Sequence, residues 1–161
     1  MEETGKMMTT FSVKVLSSED LLLLLNVAPD VFDNPIDERL ARKFLSDPRH
    51  HIVVALEEGM VIGFASAIHY IHPDNPEELW INEVGVSPAH QRKGVAKAIL
   101  RELLRYGRSL GCKSAWVLTE KGNVAANRLY RAVGGEADAG DTVMYTFEPL
   151  EDEMEHVGSK G

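Results

Sequence analysis

The residues whose types and spacing best suit chemistry lie in one stretch of this 161-residue chain, Asn82 to Leu100, reading NEVGVSPAHQRKGVAKAIL. Alternation through Val84, Gly85 and Val86 predicts a half-buried strand, Ser87-Pro88 a turn, and Gly94 marks the start of a helix. First-turn N–H groups of a helix have no intrahelical partner, and the helix dipole adds partial positive charge there. Gln91, Arg92, Lys93, Gly94, Val95, Ala96 and Lys97 therefore read as an anion cradle. Gly94 and Ala96 leave room for a phosphate to reach main-chain donors, while Arg92, Lys93 and Lys97 supply charge. Taken alone, a glycine at a helix start serves equally well to shape a turn.

Elements of both kinds must hold that stretch in place. FSVKV (11–15) reads as a strand, and Ser17 or Ser18 as the cap of a helix through EDLLLLLNVA. Asp37 caps a second helix, ERLARKFLS, which Pro48 stops. HIVVALEEGMVIGFASAIHYI reads as two strands joined by a turn at Glu57–Gly59, and ELWINEVGV as another strand. Apolar Val95, Ile99, Leu103, Tyr106 and Leu110 predict one helix from about Lys93 to Leu110, closed by Gly111. SAWVLT, then the helix VAANRLYRAV ended by Gly134-Gly135, then a last strand TVMYTFE complete a mixed α/β domain over 11–149. Polar residues 1–10 and the acidic tail 150–161 read as flexible ends.

Charge divides the chain in two. The formal net charge is −8. Arg92 to Arg131 holds ten Lys/Arg against two Asp/Glu, a balance of +8, which leaves −16 on the rest. One anionic and one cationic ligand fit that division, although a helix with a wet cationic face accounts for part of it. The overall acidity, and the lack of aromatic residues among the cations, argue against nucleic acid. The longest apolar run, LLLLLNVA, is too short to span a bilayer, and the first residues lack the plan of a signal peptide, so a cytoplasmic protein is expected. Cys112 is the single cysteine, and the six histidines show no zinc-ligand spacing, so neither disulfide nor metal is expected.

Gln91-x-x-Gly94-x-Ala96 after Val84-x-Val86 resembles the acetyl-CoA motif of the GNAT acetyltransferase superfamily. NVAANRLYRAVGG resembles that family's second signature through Asn123, Ala126, Tyr130 and Gly134, with Gly135 where a phenylalanine is usual. The resemblance, covering roughly 11–148, implies the GNAT fold, a central mixed sheet flanked by helices, with acetyl-CoA as cosubstrate. It implies that Val84 and Val86 bond the pantetheine arm, that Arg92 to Lys97 hold the pyrophosphate, and that Asn123 contacts the pantetheine. Tyr130 would protonate the departing thiolate, packing as an ordinary amphipathic aromatic being the alternative. Transfer to an amine needs a base, and Glu83 on the motif strand is the first candidate, Asp141 the second. An ion pair with a neighbouring cation is the plainer role for Glu83. Cys112, at a helix end away from both motifs, is not expected to form an acyl intermediate.

Within the family the chain is most similar to the small aminoglycoside 3-N-acetyltransferases, through FDNP (32–35), the acidic residue at Glu83, His90–Arg92 and Val143-Met144. That similarity implies a small polycationic amine as acceptor, held by Asp33, Asp37, Glu83 and Asp141, with Asp138 nearby. The resemblance to small GNAT proteins, which often pair, implies a homodimer as well. A polyamine, a protein or peptide amine, or a metabolite amine is the alternative acceptor, and an acyl-CoA sensor without turnover is the alternative function.

Overall fold

The computed structural model describes residues 10–148, so the expected flexible ends lie outside the described residues apart from residue 10. Five strands form one sheet in sequence order: β1 Ser12–Val15, β2 His50–Glu57, β3 Met60–Tyr70, β4 Glu78–Val86 and β5 Ser114–Val117. β1 to β4 run antiparallel, and β5 returns parallel to β4 after the helix α3, Val95–Ser109. The mixed sheet flanked by helices is the fold the sequence implied. Glu58 and Gly59 both take positive φ, 50° and 77°, as a two-residue hairpin turn between β2 and β3 requires.

Two helical layers cover the sheet. On one face α3 buries Val95, Ile99, Leu100 and Leu103, each 2% exposed or less. Burial of that kind stabilises by about 1.5–3 kcal/mol per side chain, which anchors the helix that follows the basic loop. The other face carries α1, Leu21–Leu25, and α2, Glu38–Ser46. Ser17 caps the short 3-10 turn Ser18–Asp20 ahead of α1 with a reciprocal bond from its N–H to Asp20 Oδ2 at 2.9 Å. The predicted helix through Ala28 is shorter than expected. Asn26 ends it because the chain turns there to the sheet, Ala28 N–H donating to the Val61 carbonyl at 2.8 Å and Val61 N–H to that of Asn26 at 2.9 Å. Asp37 caps α2 through Leu40 N–H at 2.9 Å, as predicted.

A second correction concerns the last strand. Thr142–Glu148 carries the expected alternation but has no strand pairing, and Val143, Met144, Tyr145 and Phe147 are exposed. Alternation identifies a segment able to pair. It supplies no partner, and β5, the last strand in the sheet order, offers an edge of only four residues. The helix α4, Val124–Ala132, ends as predicted at Gly134, whose φ of 96° accompanies the bond from Gly135 N–H to the Tyr130 carbonyl at 2.9 Å.

Candidate active site

The site is built by β4 parting from β5. Their pairing runs from Glu78↔Ser114 to Ile81↔Val117 and stops, whereas β4 stays paired to β3 as far as Val86↔Gly63. A register shift beside Asn82 lets Ile81 pair with Ala67 and Glu83 with Ser66. Beyond Ile81, therefore, the β5-side edge of Asn82–Val86 is open among the described residues. Val84 and Val86 lie on that open arm, where main-chain groups can accept and donate to an extended ligand as an added strand does.

Beyond the arm comes the loop. The Pro88–His90 turn leads through Gln91 into Arg92 and Gly94, with φ values of 61° and 78°, and α3 begins at Val95 rather than at Lys93. Left-handed backbone at a non-glycine residue such as Arg92 costs energy that surrounding structure must hold. Gly94 is the N-cap and makes no side-chain cap bond, so no side chain of its own satisfies the first amides of α3. A Cβ on Gly94 would meet no protein atom within 4 Å. The cradle is therefore open as well as basic, and its residues fit a pyrophosphate. Gln91 donates its side-chain amide to the Val86 carbonyl at 3.3 Å, linking loop to arm. His90 Nε2 meets Glu57 Oε2 at 2.6 Å and so ties the loop to the β2–β3 hairpin. No local pattern in the sequence signals that link between residues 33 apart.

The two faces of the fork carry different chemistry. On the face of α1 and α2, Gly85 has the Val31 carbonyl only 2.4 Å from where a Cβ would stand, and Phe32 stacks on Phe64 with centroids 3.8 Å apart. Gly85 is thus required for packing the α1–α2 connection on β4. That packing brings Asp33 towards Glu83, whose carboxyl is raised above its ordinary value by burial and then by the negative charge of Asp33. A carboxylate so destabilised is a stronger base. Asp37, by contrast, spends one carboxylate oxygen on the α2 cap. Asp141 stands exposed on the unpaired segment with Lys121 at 3.9 Å, and Asp138 Oδ1 accepts from Gly140 N–H at 3.1 Å. Glu83 and Asp33 come together; no contact joins Asp37, Asp138 or Asp141 to them among the described residues.

On the α3 face, Tyr130 is half-buried in a cavity of about 310 Å³ lined by Leu79, Ile81, Leu100, Leu104 and Val117. Ile81 and Val117 are the last paired residues of the fork, so the cavity that Tyr130 lines reaches its base. Burial raises the Tyr130 hydroxyl above its ordinary value and keeps it protonated, as a proton donor must be. Asn123 caps α4, its Oδ1 accepting from Ala126 N–H at 3.0 Å. Two of the four residues of the second signature, Asn123 and Ala126, are therefore bonded to each other at the helix start. Asn127, missed in the sequence, ties that start down through bonds to the Glu120 and Asn123 carbonyls at 3.0 and 2.7 Å. Cys112 is buried, and burial, then Glu77, raises its thiol, so it is not an activated nucleophile. Among the described residues no group of His, Cys, Asp or Glu could hold a metal ion, and no helix is long and apolar enough to cross a membrane.

Residues 19–134 match the family model described as acetyltransferase (GNAT) family. The N-alpha-acetyltransferase RimI of Mycobacterium tuberculosis is 36% identical over 104 residues, which are 65% of this chain and 63% of that protein. An aminoglycoside acetyltransferase from an uncultured soil metagenomic sample, solved in complex with sisomicin, superposes with a TM-score of 0.73 at 18% identity, covering 88% of this chain and 97% of the other. The aminoglycoside N-acetyltransferase AAC(6')-Iy in complex with CoA gives 0.69 at 18% identity, covering 87% and 96%. At such identities the two solved structures speak for the fold.

Proposed function

The chain belongs to the GNAT acetyltransferase family, and on that premise we propose that it transfers the acetyl group of acetyl-CoA directly to an amine of an aminoglycoside. The observation that carries this reading is the pairing of Glu83 with Asp33 on one face of the fork, with the Tyr130 cavity reaching its base on the other. Main-chain groups of Val84 and Val86 hold the pantetheine arm, and the Arg92–Lys97 loop holds the pyrophosphate. Glu83 takes a proton from the bound ammonium, so that the free amine nitrogen attacks the thioester carbonyl. A C–N bond forms, the C–S bond breaks, Tyr130 supplies the proton to the departing thiolate, and the proton shed by the acetylated nitrogen restores the Tyr130 phenol. Asp33 and Glu83 hold the polycation, with Asp141 joining them if its segment docks at the mouth.

The 3-amino group is the position implied by the sequence, whereas the AAC(6') name of one solved neighbour refers to the 6'-amine. On this reading the protein is a cytoplasmic homodimer that confers resistance to its substrate. A second reading, favoured by the 36% identity to RimI, makes a peptide α-amine the acceptor. Thiol release from acetyl-CoA, measured with kanamycin, spermine and an alanyl peptide, separates these. Acetylation of kanamycin, with the site read by NMR, is the expected result. Turnover with the peptide alone would replace the first reading by the second.

A further inference from the structure

The fork face that carries Glu83 continues along the sheet to an aromatic surface that the transfer chemistry does not use. Trp80 of β4 and Trp116 of β5 are register partners, and their rings stack with centroids 5.5 Å apart at 13°. Leu79 and Ile81 point to α3, so Trp80 points to the opposite face, the one that holds Glu83 and Phe64. Trp116 remains 39% exposed. Its Nε1–H donates to the Tyr70 hydroxyl at 2.9 Å, Tyr70 donates to Glu78 Oε2, and Ser114 donates to Glu78 Oε1 at 2.9 Å. This network holds the indole by its Nε1 edge, and part of the ring stays open to solvent. The Tyr70 bond, then that of Ser114, lowers the Glu78 carboxyl, so the platform keeps a negative charge at its border.

We propose that the Trp80–Trp116 pair is the acceptor's second contact surface, against which the apolar face of an aminated sugar ring stacks while another amine of the same molecule reaches Glu83. The inference rests on the aminoglycoside reading and specifies how that acceptor is oriented. Trp80 and Glu83 pair with Ile68 and Ser66, two residues apart on β3, so they stand about 7 Å apart along the sheet, a separation that a molecule of two linked rings spans. Indole faces attract cations as well as C–H surfaces, and Glu78, Glu83 and Asp33 border this strip with the charge a polycation seeks. A flexible chain of ammonium groups without ring faces has the charge but not the surface.

These two residues are the only tryptophans of the chain, so its intrinsic indole fluorescence reports on this surface alone. Titration of the parent protein with kanamycin is expected to change that fluorescence saturably, and spermine at equal charge to change it far less. Trp116→Ala is expected to raise the KM for kanamycin about tenfold, leaving kcat and acetyl-CoA affinity unchanged, with Trp116→Phe close to the parent in KM. Kanamycin turnover with an unaltered KM in Trp116→Ala and no fluorescence response would overturn the platform and leave the activity standing. A saturable response without acetylation would leave the platform and remove the activity. Equal responses to spermine and kanamycin would overturn the stacking, and silence to both, without turnover, would overturn both readings.

Discussion

Gly94→Ala separates two physical demands made on one residue. The φ of 78° at Gly94 lies in the left-handed region, which costs a residue with a Cβ about 1–2 kcal/mol. No protein atom lies within 4 Å of the added methyl, so packing adds nothing to that cost. The free energy of unfolding, from urea titration without coenzyme, is therefore expected to fall by about 1–2 kcal/mol. The methyl does, however, project into the space in which a phosphate would meet the first amides of α3. Loss of one hydrogen bond to a charged group costs about 1.5–3 kcal/mol, or about 10- to 150-fold in acetyl-CoA affinity by calorimetry. If stability falls as expected while affinity is unchanged, the loop does not cradle the coenzyme. If neither changes, the left-handed conformation is not what Gly94 is there to adopt.

Tyr130→Phe is expected to lower kcat by about 100-fold or more with acetyl-CoA affinity nearly unchanged, since a positioned acid contributes on that scale; an unaltered kcat would remove the proton-donor role. Because Glu83 is raised above its ordinary value, the parent rate is expected to fall with decreasing pH through an inflection above the usual carboxylate range, and Glu83→Gln to lack that limb. Equal pH–rate profiles for the two proteins would exclude Glu83 as base. His51, 6% exposed and bonded through Nε2 to His69 Nδ1 at 2.7 Å, is lowered from 6.5 to about 4, by burial first and then by His69 and His50, against the opposing charge of Asp47. Protonation of the unfolded chain then outruns that of the folded one as pH falls below about 6.5. The stabilising advantage of the parent over His51→Phe is expected to shrink by about 2 kcal/mol between pH of about 7 and about 5. A difference that does not vary with pH would refute it.

Much of this was legible in the sequence because it rests on local rules. The Asp37 cap, the Glu58–Gly59 turn, the Gly111 and Gly134 helix ends and the strand-then-glycine approach to α3 each depend on residues within a few positions. What was not legible depends on partners distant in the chain. Glu57 meets His90, Phe32 lies on Phe64, and Trp80 lies on Trp116, and nothing near any of them announces its partner. The shortening of the first helix has the same origin, since the Val61 strand takes the backbone bonds that would have extended it. At the site, the sequence identified Glu83 but not the causes of its basicity, which are its burial in the fold and then the folding of Asp33 over β4. Thr142–Glu148 shows the converse, a correct local pattern without a tertiary partner.

The fork between β4 and β5 opens to both faces of the sheet, with the basic Arg92–Lys97 loop beyond its end and the Glu83 carboxylate to one side. Neither reactant need pass through the place of the other, and neither is needed to complete the other's pocket. On the proposed direct transfer, the kinetic order of addition is then free. Double-reciprocal plots at varied acetyl-CoA and amine should intersect rather than run parallel, and each substrate alone should bind the resting protein.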